Sequence, residues 1–181
     1  MFKKITLLSL IFLSILLAKE NISIEEILKA NYANNIDNNL SDSQLTIEKK
    51  SLILTKDESA SVQTTAQAKV RSNIVRYYVI KNDDNLTGYA VLLKQKIRTK
   101  NAAILYMVDA NKTMLGIEIV SFKEPSEYKP NKEWQSVFVG KTNEDALIAG
   151  KDIPTISGAT LSARAISDAA RIALAIVAIK L

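Results

Sequence analysis

Between Ile74 and Phe122 the chain alternates β-branched and aromatic runs with short polar breaks, and this leaves few folds open to it. Ile74–Ile80 (IVRYYVI), Leu86–Ile97, Ala102–Val108 and Leu115–Phe122 read as strands, because such side chains fit a pleated surface. Asn82-Asp83-Asp84-Asn85 and the stretch from Asp109 to Lys112 supply the turn residues between them. Four successive strands with tight polar turns predict an antiparallel meander. A long apolar helix after it makes the fold class α+β. That helix is predicted from about Leu161 to Ile179, with Arg164, Ser167, Asp168 and Arg171 on one polar face. Its last turns are nearly all Ala, Ile, Leu and Val, so they should be buried.

Helix starts are marked elsewhere. Ser23 and Glu26 form a capping box, followed by Ile24, Ile27, Leu28 and Tyr32 at helical spacing. Asn34–Ser43 is rich in Asn, Asp and Ser and reads as loop. Thr55 and Glu58 form a second capping box, opening a helix to about Ala68. Pro125 and Pro130 block regular structure after the meander. Short helices are predicted over Glu133–Val139 and over Asn143–Ala149, the latter ended by Gly150.

Met1 to Leu17 (MFKKITLLSLIFLSILL) reads as an address rather than part of the fold. Lys3 and Lys4 precede an apolar run of about 13 residues, against about 20 for a membrane span. Residues 1–18 are therefore predicted to be a signal peptide cleaved after Ala18. Leu16 departs from the small residue preferred at −3, which leaves an uncleaved anchor as the alternative. Residues 19–181 form a single predicted domain. The positive start keeps the N-terminus inside, which predicts export to the periplasm or the outer face of the cytoplasmic membrane.

Composition narrows the chemistry. There is no Cys and no His in 181 residues. Thiolate nucleophiles, Cys-held clusters, imidazole bases and Ser–His triads are all excluded. Redox chemistry would have to come from an organic cofactor. The formal charge is +5, with Lys3 and Lys4 inside the predicted signal. No run of like charge is long enough to suggest nucleic-acid binding. Neither a catalytic residue nor a metal site is predicted.

Asp152–Ser162 (DIPTISGATLS) carries the most specific chemistry. It leads straight into the last helix, so Ser157-Gly158-Ala159-Thr160 sits where free N–H groups and the positive end of the helix dipole meet. Such a junction is a natural phosphate site. Gly158 allows a close backbone approach, and Thr160 offers a hydroxyl beside the donors. The plain reading is that Ser157 or Thr160 merely caps the helix.

Asp152 and Ser157-Gly158-Ala159-Thr160, with Ser162 following, resemble the flavinylation motif of the FMN-binding domain family. Members occur in Rnf-type electron-transport complexes, in the sodium-pumping NADH:quinone reductase, and in NosR-like and fumarate-reductase-associated proteins. The resemblance implies FMN phosphoester-linked to Thr160, attached from FAD by a separate ApbE-type flavin transferase. Ser157, Gly158, Ala159 and Leu161 would contact the cofactor, and Asp152 would be the motif acid, although its spacing to Ser157 is longer than the common form. A second patch, Glu124-Pro125-Ser126-Glu127-Tyr128 with Trp134, Phe138, Gly140 and Lys141, resembles the family's Glu-Pro segment and its aromatic and Gly-Lys continuation. Lys123 stands where some members have His. Gly88-Tyr89 in the meander also fits. The resemblance covers roughly Asp57 to Ile179.

By this resemblance Glu124, Pro125, Tyr128, Trp134 and Lys141 would line the flavin. Their plain readings are a turn residue for Glu124, a core pair for Trp134 and Phe138, and a solvated charge for Lys141. The implied function is an electron-transfer protein rather than a self-contained enzyme, working between redox protein partners, membrane-bound ones among them. The alternatives are a secreted non-redox binding module, in which the motif is only a helix cap, and a flavin-dependent reductase with its own substrate.

Overall fold

The computed structural model describes residues 22–36 and 45–181. The signal-like segment lies outside the described residues, as does most of the expected Asn34–Ser43 loop. Helix α1 (Ile24–Ile36) opens on the Ser23–Glu26 box, with both reciprocal bonds formed. It runs to Ile36, past the predicted loop start at Asn34. Strand β1 (Leu45–Ile53) and helix α2 (Lys56–Ala66) follow. Thr55 and Glu58 cap α2 reciprocally, and Gln67 ends it in a left-handed conformation at φ 47°.

The meander forms as β2 (Ile74–Asn82), β3 (Asn85–Lys96), β4 (Asn101–Asp109) and β5 (Met114–Phe122). The sheet has five strands rather than four, in the order β1-β2-β3-β4-β5, all antiparallel. Strand β1 escapes sequence reading because Glu48-Lys49-Lys50-Ser51 interrupts its apolar alternation. Those charges suit an edge strand, where they discourage pairing with another chain. Glu48 is satisfied by Lys50 and, across the β1–β2 pair, by Lys81, each at 2.8 Å.

Two layers of helix cover the sheet. On one face α1 buries Leu28 and Tyr32 against Tyr78, Ile80, Ala90, Leu105 and Met107. Tyr32 is fully buried, and its hydroxyl donates to the carbonyls of Tyr89 and Val108 and accepts the Val108 N–H. The larger core lies on the other face under the last helix, α4 (Thr160–Lys180). Ala163, Ile166, Ala170, Ala173, Ile176 and Val177 of α4 are all fully buried. Small alanines bring the helix axis close to the sheet, and Ile and Val fill the spaces between. The expected polar face is only partly polar: Ser167 is fully buried and its hydroxyl has no partner among the described residues.

Helix α3 (Lys132–Ser136) is shorter than the sequence suggests, with Asn131 as its N-cap. The helix expected over Asn143–Ala149 does not form. Asp145 takes the Thr142 N–H at 2.9 Å and the Thr142 hydroxyl at 3.2 Å, while Asp152 takes the N–H groups of Leu147 and Ile148, each at 2.7 Å. Side-chain carboxylates thus occupy donors that a helix would need. Leu147 adopts φ 47°, which no helix interior tolerates. Among the described residues no helix is long and apolar enough to cross a membrane.

Gly88 shows how tightly α1 meets the sheet. A Cβ there would lie 2.3 Å from the Val108 carbonyl oxygen and 2.8 Å from the Tyr32 ring. Gly88→Ala is expected to destabilise the fold by about 1–3 kcal/mol or more, because the obstacle is backbone. Urea unfolding of the two proteins checks this, and an unchanged midpoint contradicts the packing described.

Candidate functional site

Helix α4 begins without a side-chain cap. Its N-cap residue is Ala159, at φ −126°, and no side chain bonds to its first turn. The hydroxyls of Ser157 and Thr160 make no hydrogen bond among the described residues, so neither acts as the cap that the plain reading expects. Ser162 and Ala163 both donate to the Ala159 carbonyl, at 3.0 and 3.2 Å, and Ala159 donates to Ile156. The N–H groups of Gly158, Thr160 and Leu161 have no acceptor among the described residues. Gly158 holds φ +74°, and a Cβ there would meet nothing within 4 Å. The cradle above it is therefore open. No acidic residue sits in the first turn of α4, whereas the first turns of α1, α2 and α3 each carry at least one. The positive end of the longest helix is left uncompensated.

A groove of about 460 Å³ opens beside this junction, within the range of small-molecule sites. Its walls are Trp134, Val137, Asn131 and Glu133 on one side and Pro154–Ser157 on the other, with Lys129 at the rim. Sequence reading singled out Trp134 and Ser157 among these. It missed Pro154, Thr155 and Ile156, although they lie inside the same motif run. Val137 and Asn131 carry no signal of their own; α3 places them.

The second patch turns out to be the frame of the motif. Glu124 is 8% exposed. Its Oε1 accepts the backbone N–H groups of Arg98, Thr99 and Lys100 at 3.1, 2.6 and 2.7 Å, closing the β3–β4 turn. Glu124 thus braces the 98–100 turn. The N–H of Lys100, then those of Thr99 and Arg98, outweigh the loss of hydration and hold its carboxyl below the ordinary value. Pro125 leads into a single 3₁₀ turn, Ser126–Tyr128. The Tyr128 ring lies 4.6 Å from the Arg98 guanidinium, and the Tyr128 carbonyl accepts the Ser162 hydroxyl at 2.7 Å. Ser162 is buried, so this bond ties the first turn of α4 to the patch.

Trp134 and Phe138 form the core pair, with ring centroids 5.3 Å apart at 68°. The Trp134 indole N–H donates to the Pro154 carbonyl at 2.8 Å, fixing the chain just before the motif. Trp134 thus serves the core and also borders the groove. Lys141 pairs with Asp145 at 3.1 Å and does not line the groove. Asp152 braces its own loop rather than facing the helix start. Desolvation raises its carboxyl, but bonds from the Ile148 and Leu147 N–H groups prevail and lower it. Leu161 is 47% exposed and lines a different pocket from the Trp134 groove.

Open N–H donors, an open glycine cradle, two unengaged hydroxyls and an adjoining groove meet at the start of α4. Residues 39–175 match the family model of the FMN-binding domain. The chain belongs to the FMN-binding domain family and is a flavin-binding protein of α+β fold. Comparison with curated proteins and with solved structures gives no match. The residues present fit FMN: the open donors and the positive helix end suit its phosphate, and the groove suits a planar ring system.

Two predictions follow from the frame. Ser162→Ala leaves the Tyr128 carbonyl without its partner and is expected to cost about 1–3 kcal/mol in thermal or urea unfolding. Glu124→Gln should lower the urea midpoint at neutral pH. A lowered folded pKa contributes stability above the ordinary carboxyl value and loses it as pH falls through the folded value. The midpoint difference between Glu124→Gln and the parent should therefore shrink below about pH 4.5. A difference that grows on acidification contradicts the assignment.

Proposed function

We propose that the chain is an extracytoplasmic electron carrier with FMN phosphoester-linked to Thr160. The observation that carries this reading is the free state of the Thr160 hydroxyl. It stands on the first residue of α4, uninvolved in capping, beside N–H groups with no protein acceptor. A phosphate ester there places negative charge where the helix end favours it. A helix cap, by contrast, would engage one of the two hydroxyls with a first-turn N–H.

The protein's part is binding and orientation. The N–H groups of Gly158, Thr160 and Leu161 would hold the phosphate. Trp134, Val137 and Pro154–Ser157 would wall one side of the ring, and Trp134 is itself kept in place by Phe138 and the Pro154 carbonyl. FMN supplies reversible one- and two-electron transfer when bound. A chain without His or Cys adds no imidazole or thiol to that chemistry. Maturation needs a separate flavin transferase: the Thr160 oxygen forms the new phosphoester, the diphosphate of FAD is cleaved and AMP leaves. Redox proteins, membrane-bound ones among them, would be its partners. The basic start and short apolar core of residues 1–18 support export to the periplasm or the outer face of the cytoplasmic membrane. A tethered cofactor suits that setting, because a dissociated flavin would be lost.

Co-expression with an ApbE-type flavin transferase, followed by intact mass measurement after denaturation, tests the linkage. The expected gain equals FMN less one water, retained in Thr160→Ser and absent from Thr160→Ala. No gain, with the transferase shown active on another acceptor protein, would remove the carrier reading and leave a domain that binds flavin without a covalent bond, or a non-redox binding module.

A further inference from the structure

A second groove runs along α4, and its charge is one-sided. Near the helix start it is about 190 Å³ in volume and is bordered by Lys69, Arg71, Lys96, Leu161 and Arg164. Arg71, Gln95 and Ile172 also border a further space of about 280 Å³ between β2, β3 and α4. Arg76 and Lys94 border that second part. Its walls are apolar: half-buried Leu92 and Leu93 lie over the buried Val75, Ile172 and Ile176, with Ile74 left 58% exposed at the margin.

Six cations therefore line this groove of two adjoining spaces: Lys69, Arg71, Arg76, Lys94, Lys96 and Arg164. All are exposed, and none forms an ion pair among the described residues. The only acid along the groove, Asp168, is already paired with Arg171 at 2.6 Å. By contrast, Glu48, Glu58, Glu118 and Asp145, away from the groove, each pair with a lysine. Like charges gathered without counter-charge repel one another, so the folded domain carries a standing electrostatic cost that an anionic partner relieves.

We propose that this groove docks an acidic segment of a partner protein, with apolar side chains between its carboxylates. The cations would meet the carboxylates, and the accessible apolar surface of Ile74, Leu92, Leu93 and Leu161 would take the apolar side chains. A concave groove with apolar walls suits a polypeptide segment, whereas a flat anionic membrane surface reaches only the rim. Leu161 borders the groove one residue after Thr160, so a docked partner would lie against the start of α4. The proposal does not rest on flavin attachment, because the groove and its charges belong to the protein alone.

The test uses the full, unflavinylated chain and a fluorescently labelled peptide of alternating Glu and Leu, read by anisotropy. Binding is expected to weaken as salt rises and to vanish for the peptide with Gln in place of Glu. Lys96→Glu/Arg164→Glu should weaken binding by about tenfold or more. Lys49→Glu/Lys123→Glu, which changes net charge equally but away from the groove, should alter it by less than about twofold. Circular dichroism of both variants separates loss of binding from loss of fold. The neutral pair Lys96→Gln/Arg164→Gln, expected to fall between the parent and the reversed variant, gives the same reading if the reversed one unfolds. Equal losses in the groove and control variants, retained binding of the Gln peptide, or no binding at all overturns the proposal. Binding to phosphatidylglycerol vesicles without binding to the peptide also overturns it, in favour of a membrane surface.

Discussion

Everything at the candidate site depends on where α4 is pinned. The helix carries the candidate site residues at one end and has no polar cap of its own, so its position comes from burial along its length. Fully buried Ala163, Ile166, Ala170 and Ala173 press it to the sheet. The Tyr106 hydroxyl, also buried, donates to the Ile166 carbonyl at 3.0 Å and fixes its rotation against β4. Arg171 acts as a clasp: its guanidinium donates to the carbonyls of Ala66 and Leu147 and pairs with Asp168. One side chain thereby ties the end of α2 and the 141–153 loop to α4. At the C-terminal end, the Tyr89 hydroxyl donates to the Leu181 carbonyl and Lys180 pairs with Glu58. A helix held at so many points has little freedom to tilt, so Thr160 projects from a rigid element.

The same pinning explains why the cap can be absent. An uncapped helix start costs on the order of 1 kcal/mol in ordinary proteins. Here that loss is small beside the apolar burial of α4, since each fully buried Ile or Val contributes roughly 1.5–3 kcal/mol. The N–H groups can then be reserved for a ligand. Ser162, the one hydroxyl of the first turn that is engaged, bonds outward to Tyr128 rather than to its own helix. The Glu124–Tyr128 segment is in turn held by the β3–β4 turn through Glu124. The frame thus runs from a strand turn to the helix start through four residues: Arg98, Glu124, Tyr128 and Ser162.

The two grooves divide the surroundings of Thr160. The one against Trp134 has mixed polarity and a Trp ring at its wall; the one against Arg164 is ringed by cations. Cations along the flank of α4 add to the positive field at the start of the helix. Charge is therefore distributed around one helix rather than built into a closed cavity.

Much of this was legible in the sequence. Period-2 runs between polar turns determined four of the five strands, and two capping boxes determined the starts of α1 and α2, because those signals act between residues close in sequence. The Ser157-Gly158-Ala159-Thr160 run marked the start of α4, since a left-handed glycine before a helix is a local matter. What stayed hidden depended on partners distant in the chain. Strand β1 is a strand because β2 pairs with it, although its own charges argue otherwise. The 143–149 segment is a loop because Asp145 and Asp152 capture its N–H groups. Glu124, Tyr128 and Trp134 are named by a sequence pattern, yet only folding shows that they frame the motif through the 98–100 turn, Ser162 and Pro154. Local hydrogen bonds and periodicity are written in sequence order; the alignment of six cations along one flank of α4 is not, because they come from the 67–73 link, two strands and a helix that meet only when the core closes.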